Sequence, residues 1–216
     1  MKLVCVENGF AVVEKAAGEV CEATPEKRGI PDLLTELTGK KAYTVHRLDA
    51  PTVGLAVFAL DENAAASLSR QLTDGSLTKE YRAVLEGTPE NGSGRFEDLL
   101  FRDKAKNKTY VVSRERRGVR RAALEYTVEE TSEYGGTPVF LARIKLLTGR
   151  THQIRAQFAH RRHPVAGDAR YGSKIKVPLA LQSASLSFND PMTGERRNFS
   201  LGIPSGEVWG VFDTEK

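Results

Sequence analysis

A histidine, an arginine and an aspartate stand directly before an apolar run in the stretch VHRLDAPTVGLAVFAL, at residues 45–60. Residues 53–60 have the length and the β-branched and aromatic content of a buried strand, and Ala50-Pro51-Thr52 predicts a turn before it. Asp49 would therefore lie at the mouth of a core strand. A carboxylate beside Arg47 is most often a structural ion pair. An ionised carboxylate that does chemistry is the alternative.

Two further segments carry residue types suited to chemistry. In KEYRAV, at 79–84, apolar and polar residues alternate as in a strand with one solvent-exposed face. This alternation puts Tyr81 on the face that points to the core. LLTGRTHQIR, at 146–155, places His152 and Arg155 on one face of a predicted helix. Taken alone, Tyr81 is better explained as a core aromatic, and Arg155 as an exposed helix arginine.

Periodicity and capping residues predict the elements that must position these side chains. Alternation around Asn8-Gly9 indicates an opening β-hairpin, and Asn or Gly suits its two-residue turn. The other predicted elements are a helix from Pro31 to near Gly39, a helix capped by Asp61 that ends at Asp74-Gly75, a hairpin of strands 122–131 and 138–147, a helix capped by Thr151, a strand around Ala184 and Phe188, and its returning strand 196–201.

The composition is that of an ordinary folded domain rather than a disordered chain. Of 216 residues, 40% are hydrophobic and 28% are charged. We expect one continuous domain over 1–216, possibly with two lobes. The sequence shows no signal segment and no apolar run near the roughly 18 residues that span a bilayer, so we expect a cytoplasmic protein that does not enter membranes. Cys5 and Cys21 each stand alone, which suggests neither a disulfide nor a zinc site.

Positive charge is concentrated in two places. The net charge of +4 is too mild by itself to imply nucleic acid. Residues 102–121, however, carry nine basic side chains against two acidic ones, and a second basic cluster lies at 150–170. The first segment predicts a loop between strands or a long hairpin arm. By default such a run is a solvated face, but two local excesses favour surfaces that meet phosphates.

The three motifs together resemble the RluA-type family of RNA pseudouridine synthases. HRLD at 46–49, KEYRAV at 79–84 and LLTGRTHQIR at 146–155 followed by HPVAGDARYG at 163–172 occur in the family's order and at comparable spacing. Lys15-Ala16-Ala17-Gly18 is similar to the family's K-P-x-G turn. The resemblance implies an α+β fold with a bent, mostly antiparallel mixed sheet, flanking helices and a central catalytic cleft.

The resemblance also implies roles for individual residues. Asp49 would be the catalytic aspartate, Tyr81 the ring that contacts the target base, and Arg155 the cation that pairs with the aspartate. Arg47 would help to displace the target nucleotide from its stack. We expect the remaining substrate contacts from His46, Arg150, His152 and Gln153, and RNA binding by Arg116, Arg117, Arg120 and Arg121.

Further expectations concern cofactors and partners. The family is described as using no metal or cofactor, and His160 and His163 near Asp168 lack the further ligand that a metal site needs. The substrate would be a structured rRNA or tRNA, bound by a monomer. The sequence leaves little room for the N-terminal S4-like module of many relatives, so recognition would depend on the basic arms. Departures from the family pattern, which put the identity of the substrate in doubt, occur at Ala16, Val53, Gln157 and Arg162.

Two other functions remain as alternatives. A non-catalytic RNA-binding or RNA-folding factor could use the same scaffold, but loss of the aspartate, the tyrosine or the arginine would be expected there. A DNA-directed base-excision enzyme also uses an aspartate and a flipped base. The pattern over the whole chain does not suggest it.

Overall fold

The computed structural model describes residues 1–7, 9–25 and 27–212. In chain order the elements are β1 (Lys2–Val6), β2 (Phe10–Lys15), α1 (Ile30–Thr38), β3 (Tyr43–Thr44), β4 (Val53–Ala59), α2 (Glu62–Asp74), β5 (Thr78–Glu86), β6 (Ser93–Asp103), β7 (Lys108–Val112), β8 (Val119–Tyr134), β9 (Thr137–Leu146), α3 (Gln153–His160), β10 (Leu181–Asn189) and β11 (Arg196–Ser200). Two short 3-10 helices occupy Ala169–Tyr171 and Glu207–Val211.

The chain divides into two compact units. The first comprises Met1–Lys79 with Gln182–Leu201, and the second comprises Glu80–Leu181 with Gly202–Lys216. This division does not test the expectation of a single domain, which stays a prediction. None of the helices in the described parts of the chain is long and apolar enough to cross a membrane.

The sheet of the first unit runs in the order β1-β2-β4-β10, with β11 paired to β10 and β3 to β4. All of these pairings are antiparallel except that of β4 with β10. The parallel pair is close: Gly54 has φ 107, and a Cβ there would collide with the backbone of Ser183. Beneath the sheet, Phe10 meets Phe188 edge to face at 5.0 Å between centroids, and Leu68 of α2 is fully buried against this cluster. Each such side chain contributes about 1.5–3 kcal/mol by leaving water.

The sheet of the second unit is antiparallel, in the order β5-β9-β8-β6-β7. Helix α3 packs through Phe158, whose ring lies 5.0 Å from that of Phe96 on β6 and 5.5 Å from that of Tyr126 on β8. Phe158 is 1% exposed. The helix that carries Arg155 is therefore fixed to the sheet by aromatic contacts.

Most of the predicted elements are confirmed. Strands β1 and β2 pair as the expected hairpin, although Asn8 of its turn lies outside the described residues. The predicted capping of α2 is also confirmed, because Asp61 accepts a hydrogen bond of 2.8 Å from the amide of Ala64, and Gly75 is left-handed. The basic segment 102–121 forms β7, its flanking turns and the start of β8, as a hairpin arm.

The predicted start of α3 is wrong. The helix begins at Gln153, and the residue at its N-cap is His152, which is left-handed at φ 53 and makes no side-chain capping bond. Thr151 is engaged elsewhere: its hydroxyl accepts from Arg102 at 3.0 Å and its carbonyl accepts from the hydroxyl of Thr109 at 2.9 Å. Long-range bonds have replaced the local cap.

Arg162 is an exposed residue at φ 67, a left-handed conformation that favours glycine. We expect Arg162→Gly to raise the free energy of unfolding by about 0.5–1 kcal/mol, since relief of left-handed strain exceeds the added entropy of the unfolded chain. Chemical denaturation measures the difference. Arg162→Ala is the control, because it removes the same side chain and keeps the strain. Equal stabilities of the two variants would contradict the explanation.

Candidate active site

The loop that carries Asp49 is held by the ammonium group of Lys15, at the end of β2. This side chain is 0% exposed, and its Nζ donates to the carbonyl oxygens of Ala50 at 2.8 Å, Thr52 at 2.7 Å and Ala16 at 3.0 Å. Two of these acceptors, Ala50 and Thr52, lie one and three residues after the aspartate in the chain. The loop is therefore fixed by one buried cation and three carbonyl groups.

Further backbone bonds complete the same loop. The amide of Thr52 donates to the carbonyl of Asp49 at 2.9 Å, which forms the predicted turn, and the amide of Gly18 donates to Ala50 at 2.8 Å. On the other side of the aspartate, the amide of Leu48 donates to the sulfur of Cys21 at 3.3 Å. The backbone around Asp49 is thus bonded on both sides. Asp49 itself is half-buried.

Burial lowers the pKa of the Lys15 ammonium, whereas nearby acidic groups, Asp49 among them, act to raise it. The carbonyl bonds also favour the charged form, because they replace the water that the ammonium has lost. Lys15 and Asp49 therefore lie within electrostatic reach of each other.

The neighbours of Asp49 in the motif are held in different ways. Arg47 is exposed and pairs with the exposed Glu22, with 2.6 Å between Nη1 and Oε2. Such a pair is worth little in water, so an external anion could replace the glutamate. His46 is buried, and its Nε2 accepts from the amide of Val57 at 3.2 Å. Burial and the charge of Lys79 hold the pKa of His46 well below its ordinary value, so the ring is neutral.

In the second unit, Arg155 forms a buried, bidentate ion pair with Asp168. Its Nε and Nη2 lie 2.6 and 2.8 Å from the two carboxylate oxygens, and the two side chains are 6% and 1% exposed. The guanidinium also stands over the ring of Tyr171, 5.0 Å from its centroid. A planar cation held at its edge and on its face is fixed in orientation.

Tyr171 connects Arg155 to the other histidine of the motif. Its hydroxyl accepts from the amide of Thr109 at 2.8 Å and lies 3.1 Å from Nδ1 of His152. One hydrogen bond joins the hydroxyl and Nδ1, and the tautomer of His152 decides which of the two donates. His152 is buried, which agrees with its expected role in hydrogen bonding.

Gln153 and Arg150 bind backbone on this side of the second unit. The side-chain oxygen of Gln153 accepts from the amide of Arg150 at 3.0 Å, and its nitrogen donates to Ala123 at 3.0 Å. Arg150 donates through Nε to the carbonyl of Arg121 at 3.1 Å. Their predicted contacts with substrate stay predictions.

The arginines of the arm are all exposed, but they differ in their contacts. Arg121 pairs with Glu115 at 2.9 Å, Arg116 stands 4.5 Å over the ring of Phe101, and Arg120 donates to the carbonyl of Val119. Arg117 has no ion pair or hydrogen bond from its side chain within the described ranges. The tip of the arm therefore presents positive charge to solvent.

Two departures from the resembled pattern have local explanations. The amide of Ala16, which a proline would lack, donates to Glu19 at 2.7 Å, and Glu19 also pairs with the N-terminal ammonium of Met1. Gln157 is fully buried and donates to Asp98 at 2.6 Å, while its side-chain oxygen has no hydrogen-bond partner among the described residues. The side-chain amide of Gln157 is therefore hydrogen-bonded through its nitrogen and not through its oxygen.

Comparison with known proteins defines the class of molecule. A model of the family described as "RNA pseudouridylate synthase" matches residues 9–160. The ribosomal large subunit pseudouridine synthase D of Vibrio cholerae is 33% identical over 184 residues, which is 78% of this chain and 54% of that protein. The tRNA pseudouridine synthase C of Salmonella typhimurium is 29% identical over 231 residues, covering 97% and 87% of the two chains.

A solved structure gives the same result. Human RNA Pseudouridylate Synthase Domain Containing 1 aligns with a TM-score of 0.77 and 25% identity, over 93% of this chain and 82% of that one. The fold is thus the α+β fold of these RNA-modifying isomerases. The chain belongs to the RNA pseudouridylate synthase family, and the curated relatives support its RluA-type branch. It spans about half of the Vibrio protein.

The predicted site residues are divided between the two units. His46, Arg47 and Asp49 lie in the first, and Tyr81, Arg150, His152, Gln153 and Arg155 lie in the second. Tyr81 is 6% exposed on β5, on the core side as predicted. The pairing of Asp49 with Arg155 and the central cleft stay predictions.

Sequence reasoning missed three residues of this region. The roles of Lys15, Asp168 and Tyr171 depend on contacts with distant residues, although all three occur in motifs that carried the resemblance. For Lys15, the available signal was a lysine at the end of a predicted strand, at the start of the Lys15-Ala16-Ala17-Gly18 turn. For Asp168 and Tyr171, the available signal was the GDARYG segment, whose aspartate lies thirteen residues after Arg155.

We expect Lys15→Met to lower the free energy of unfolding by about 1–3 kcal/mol, because three carbonyl acceptors lose their shared donor. The amides of Gly18 and Thr52 should also exchange faster with deuterium, since the loop opens more often. Lys2→Met, at an exposed lysine paired with Glu14, is the control and should change stability by less than about 0.5 kcal/mol. If these amides exchange at the same rate in Lys15→Met as in the wild type, Lys15 does not hold the loop.

Proposed function

We propose that this protein converts a specific uridine of a structured RNA, in rRNA or tRNA, to pseudouridine, with Asp49 as its catalytic aspartate. One observation carries the proposal: the family match over residues 9–160 includes the loop of Asp49 and the strand of Tyr81. The names of the relatives from Vibrio and Salmonella supply the two classes of RNA.

The reaction explains why an aspartate is suited to the site. The bond between ribose C1′ and uracil N1 breaks, the uracil turns, and a bond forms between C1′ and C5. C5 then loses its proton and N1 ends with one, so the overall change is an isomerisation. A carboxylate with a reference pKa near 3.9 is ionised at neutral pH and can attack C1′, attack C6, or remove a ribose proton. All three routes remain part of the proposal.

The other proposed residues act on charge and on the flipped base. Arg155 is the cationic member of the catalytic set, and its ion pair with Asp168 supports a fixed orientation. Tyr81 would stack against the target uracil, and such stacking is worth roughly 1–3 kcal/mol. That energy offsets part of the few kcal/mol that unstacking a base costs. Arg47 would help to displace the nucleotide, in place of its contact with Glu22.

Cytoplasmic location and a monomeric state are part of the same proposal. The location is supported by the ribosomal and transfer RNA substrates named for the relatives. The monomeric state is an expectation from the sequence alone.

A tritium-release assay tests the activity. RNA labelled with tritium at uracil C5 should lose its label to water when incubated with the protein, because C5 exchanges its hydrogen for the bond to ribose. No release from any cellular RNA fraction would exclude the enzyme and favour a non-catalytic RNA-binding factor. Cleavage of duplex DNA at abasic products would instead favour a base-excision enzyme.

Asp49→Ala should reduce tritium release to background while RNA affinity stays within about threefold, because the carboxylate acts on the bond and contributes little to binding. Fluorescence anisotropy with the same RNA measures the affinity. Asp74→Ala, at an exposed aspartate of α2, is the matched control and should remain fully active. Retained turnover in Asp49→Ala would disprove the assignment.

Neutralising the arm by changing Arg116, Arg117, Arg120 and Arg121 to glutamine should weaken RNA binding. The slope of log affinity against log salt should fall by about 3, since each phosphate contact contributes roughly 0.7–0.9. The control replaces Arg28, Arg95 and Arg143, which are paired with Glu36, Glu97 and Glu129. If both sets of changes have the same effect, the arm does not face the RNA.

A further inference from the structure

Two arginines of the second unit converge on one residue, Asn107, in the turn between β6 and β7. Nη2 of Arg102 donates to the side-chain oxygen of Asn107 at 3.3 Å, and Nη1 of Arg170 donates to its backbone oxygen at 3.1 Å. Arg170 lies 63 residues further along the chain, in the 3-10 helix Ala169–Tyr171. One neutral residue thus holds two like charges near each other.

Neither guanidinium group has a counter-ion. Among the described residues, no carboxylate lies within ion-pair distance of Arg102 or Arg170. The adjacent Asp103 accepts from a backbone amide of the turn at 3.0 Å. By contrast, Arg121, an exposed arginine of the same unit, pairs with Glu115. The two arginines at the turn therefore form a concentrated positive charge on the surface.

The hydrogen bonds at the turn fix Arg170 and spare the edge of its guanidinium that suits a phosphate. Arg170 bonds only through Nη1, to the carbonyl oxygens of Lys106 at 2.9 Å and of Asn107. Its Nε and Nη2 have no acceptor in the parts of the chain that the structure describes. Nε and Nη2 form an edge through which an arginine can bind two oxygens of one phosphate. This edge is oriented and remains for an outside ligand.

A third cation lies beside the turn. The ammonium group of Lys108, the first residue of β7, stands 5.0 Å from the ring centroid of Tyr171 and 5.6 Å from that of Tyr110. It too forms no ion pair with a carboxylate of the described residues. Aromatic rings orient a cation without neutralising it. The positive potential at this end of β7 therefore comes from three side chains that are held in place.

Both arginines adjoin residues that hold the proposed catalytic arginine. Nη1 of Arg102 donates to the hydroxyl of Thr151 at 3.0 Å, two residues before α3 begins. Arg170 directly precedes Tyr171, whose ring centroid lies 5.0 Å from the guanidinium of Arg155. All of these residues belong to the second unit. A ligand bound at the turn is therefore close to the supports of Arg155.

We propose that Arg102 and Arg170, bridged by Asn107, form a binding site for one backbone phosphate of the substrate RNA, an inference that rests on the proposed function. The phosphate supplies the counter-ion that the chain does not. Because every nucleotide carries a phosphate, the site fixes the position of the RNA without reading a base. It lies at the end of β7 opposite the turn of Arg116 and Arg117, and it is a contact separate from theirs.

Asn107→Asp in the full chain tests the site, because it places a carboxylate between the two arginines without changing the size of the side chain. Aspartate tolerates the left-handed backbone at this position, φ 45. The new carboxylate competes with the phosphate for both guanidinium groups. For fluorescein-labelled bulk tRNA or fragmented rRNA, we expect Kd to rise about tenfold and the slope of log affinity against log salt to fall by about 0.7–0.9, the value for one phosphate.

Asn91→Asp is the matched control. Asn91 is exposed, and the eleven residues of β6 separate it from the turn, so this variant carries the same charge in the same unit but away from the site. Its RNA affinity should stay within about twofold of the wild type, since salt screens distant surface charges. An equal loss in the two variants would make net charge the cause and would overturn the inference. Wild-type affinity and salt slope in Asn107→Asp would also overturn it.

Arg102→Gln, Arg170→Gln and the double variant show whether the two side chains share one phosphate. For a shared phosphate, each single change should raise Kd about tenfold, and the double variant should reach only about ten- to thirtyfold. Its salt slope should fall by about 0.7–0.9 in total. Losses that multiply to about a hundredfold, with twice that change in slope, would assign the arginines to separate phosphates and contradict the shared site. Arg170→Lys should keep the salt slope of the wild type and lose about threefold in affinity, because lysine lacks the fork.

Tritium release separates a binding role from a purely structural one. In Asn107→Asp, KM for the labelled RNA should rise about tenfold while kcat changes less than about threefold, because the phosphate contact is made in both the ground state and the transition state. A fall in kcat with KM unchanged would mean that the turn only supports Arg155, and the inference would be wrong.

Failure of the inference can be told apart from failure of the proposed function. If the wild type binds RNA and releases no tritium, the proposed function fails, and the binding comparisons still decide whether the turn holds a phosphate. If the wild type is active and Asn107→Asp binds RNA with the same affinity and salt slope, only the inference fails. A wild type that binds neither RNA overturns both.

Discussion

The ammonium group of Lys15 is the interaction on which the candidate site depends. Its three carbonyl acceptors include the residues directly after Asp49 and across the following turn, so one buried cation fixes the loop at the entry of β4. A loop bonded only through water would let the carboxylate move by more than a reaction of this kind tolerates. The strand behind it, buried along almost its entire length, keeps the loop from shifting along the sheet.

Two buried cations in the described part of the chain, Arg155 and Lys15, have partners that satisfy them. Arg155 and Asp168 neutralise each other with good geometry, and Lys15 is satisfied by carbonyl groups, so these charges contribute to order. For a family that acts on a polyanion, these paired charges are suited to shaping the site, and the exposed arginines of the arm are suited to meeting phosphates.

Much of the fold follows from local signals in the sequence. Alternation predicted β5 and the β8–β9 hairpin, and Asp61 with Gly75 defined α2, because these features depend on neighbours in the chain. The start of α3 was wrong because Arg102 and Thr109, more than forty residues away, take the groups of Thr151 that would have formed a cap. The resemblance identified the family. It did not reveal the partners of Lys15 and Arg155, because residue type alone does not determine which distant oxygen atoms a cation contacts.

The most direct test of the central claim, that the fixed carboxylate of Asp49 carries out the isomerisation, is a pseudouridine map of cellular RNA. A strain whose chromosomal gene encodes Asp49→Ala is compared with its wild type at single-nucleotide resolution. The account predicts that one or a few sites in rRNA or tRNA lose their pseudouridine completely, while the variant protein is present at a normal level. Identical maps from the two strains would contradict it.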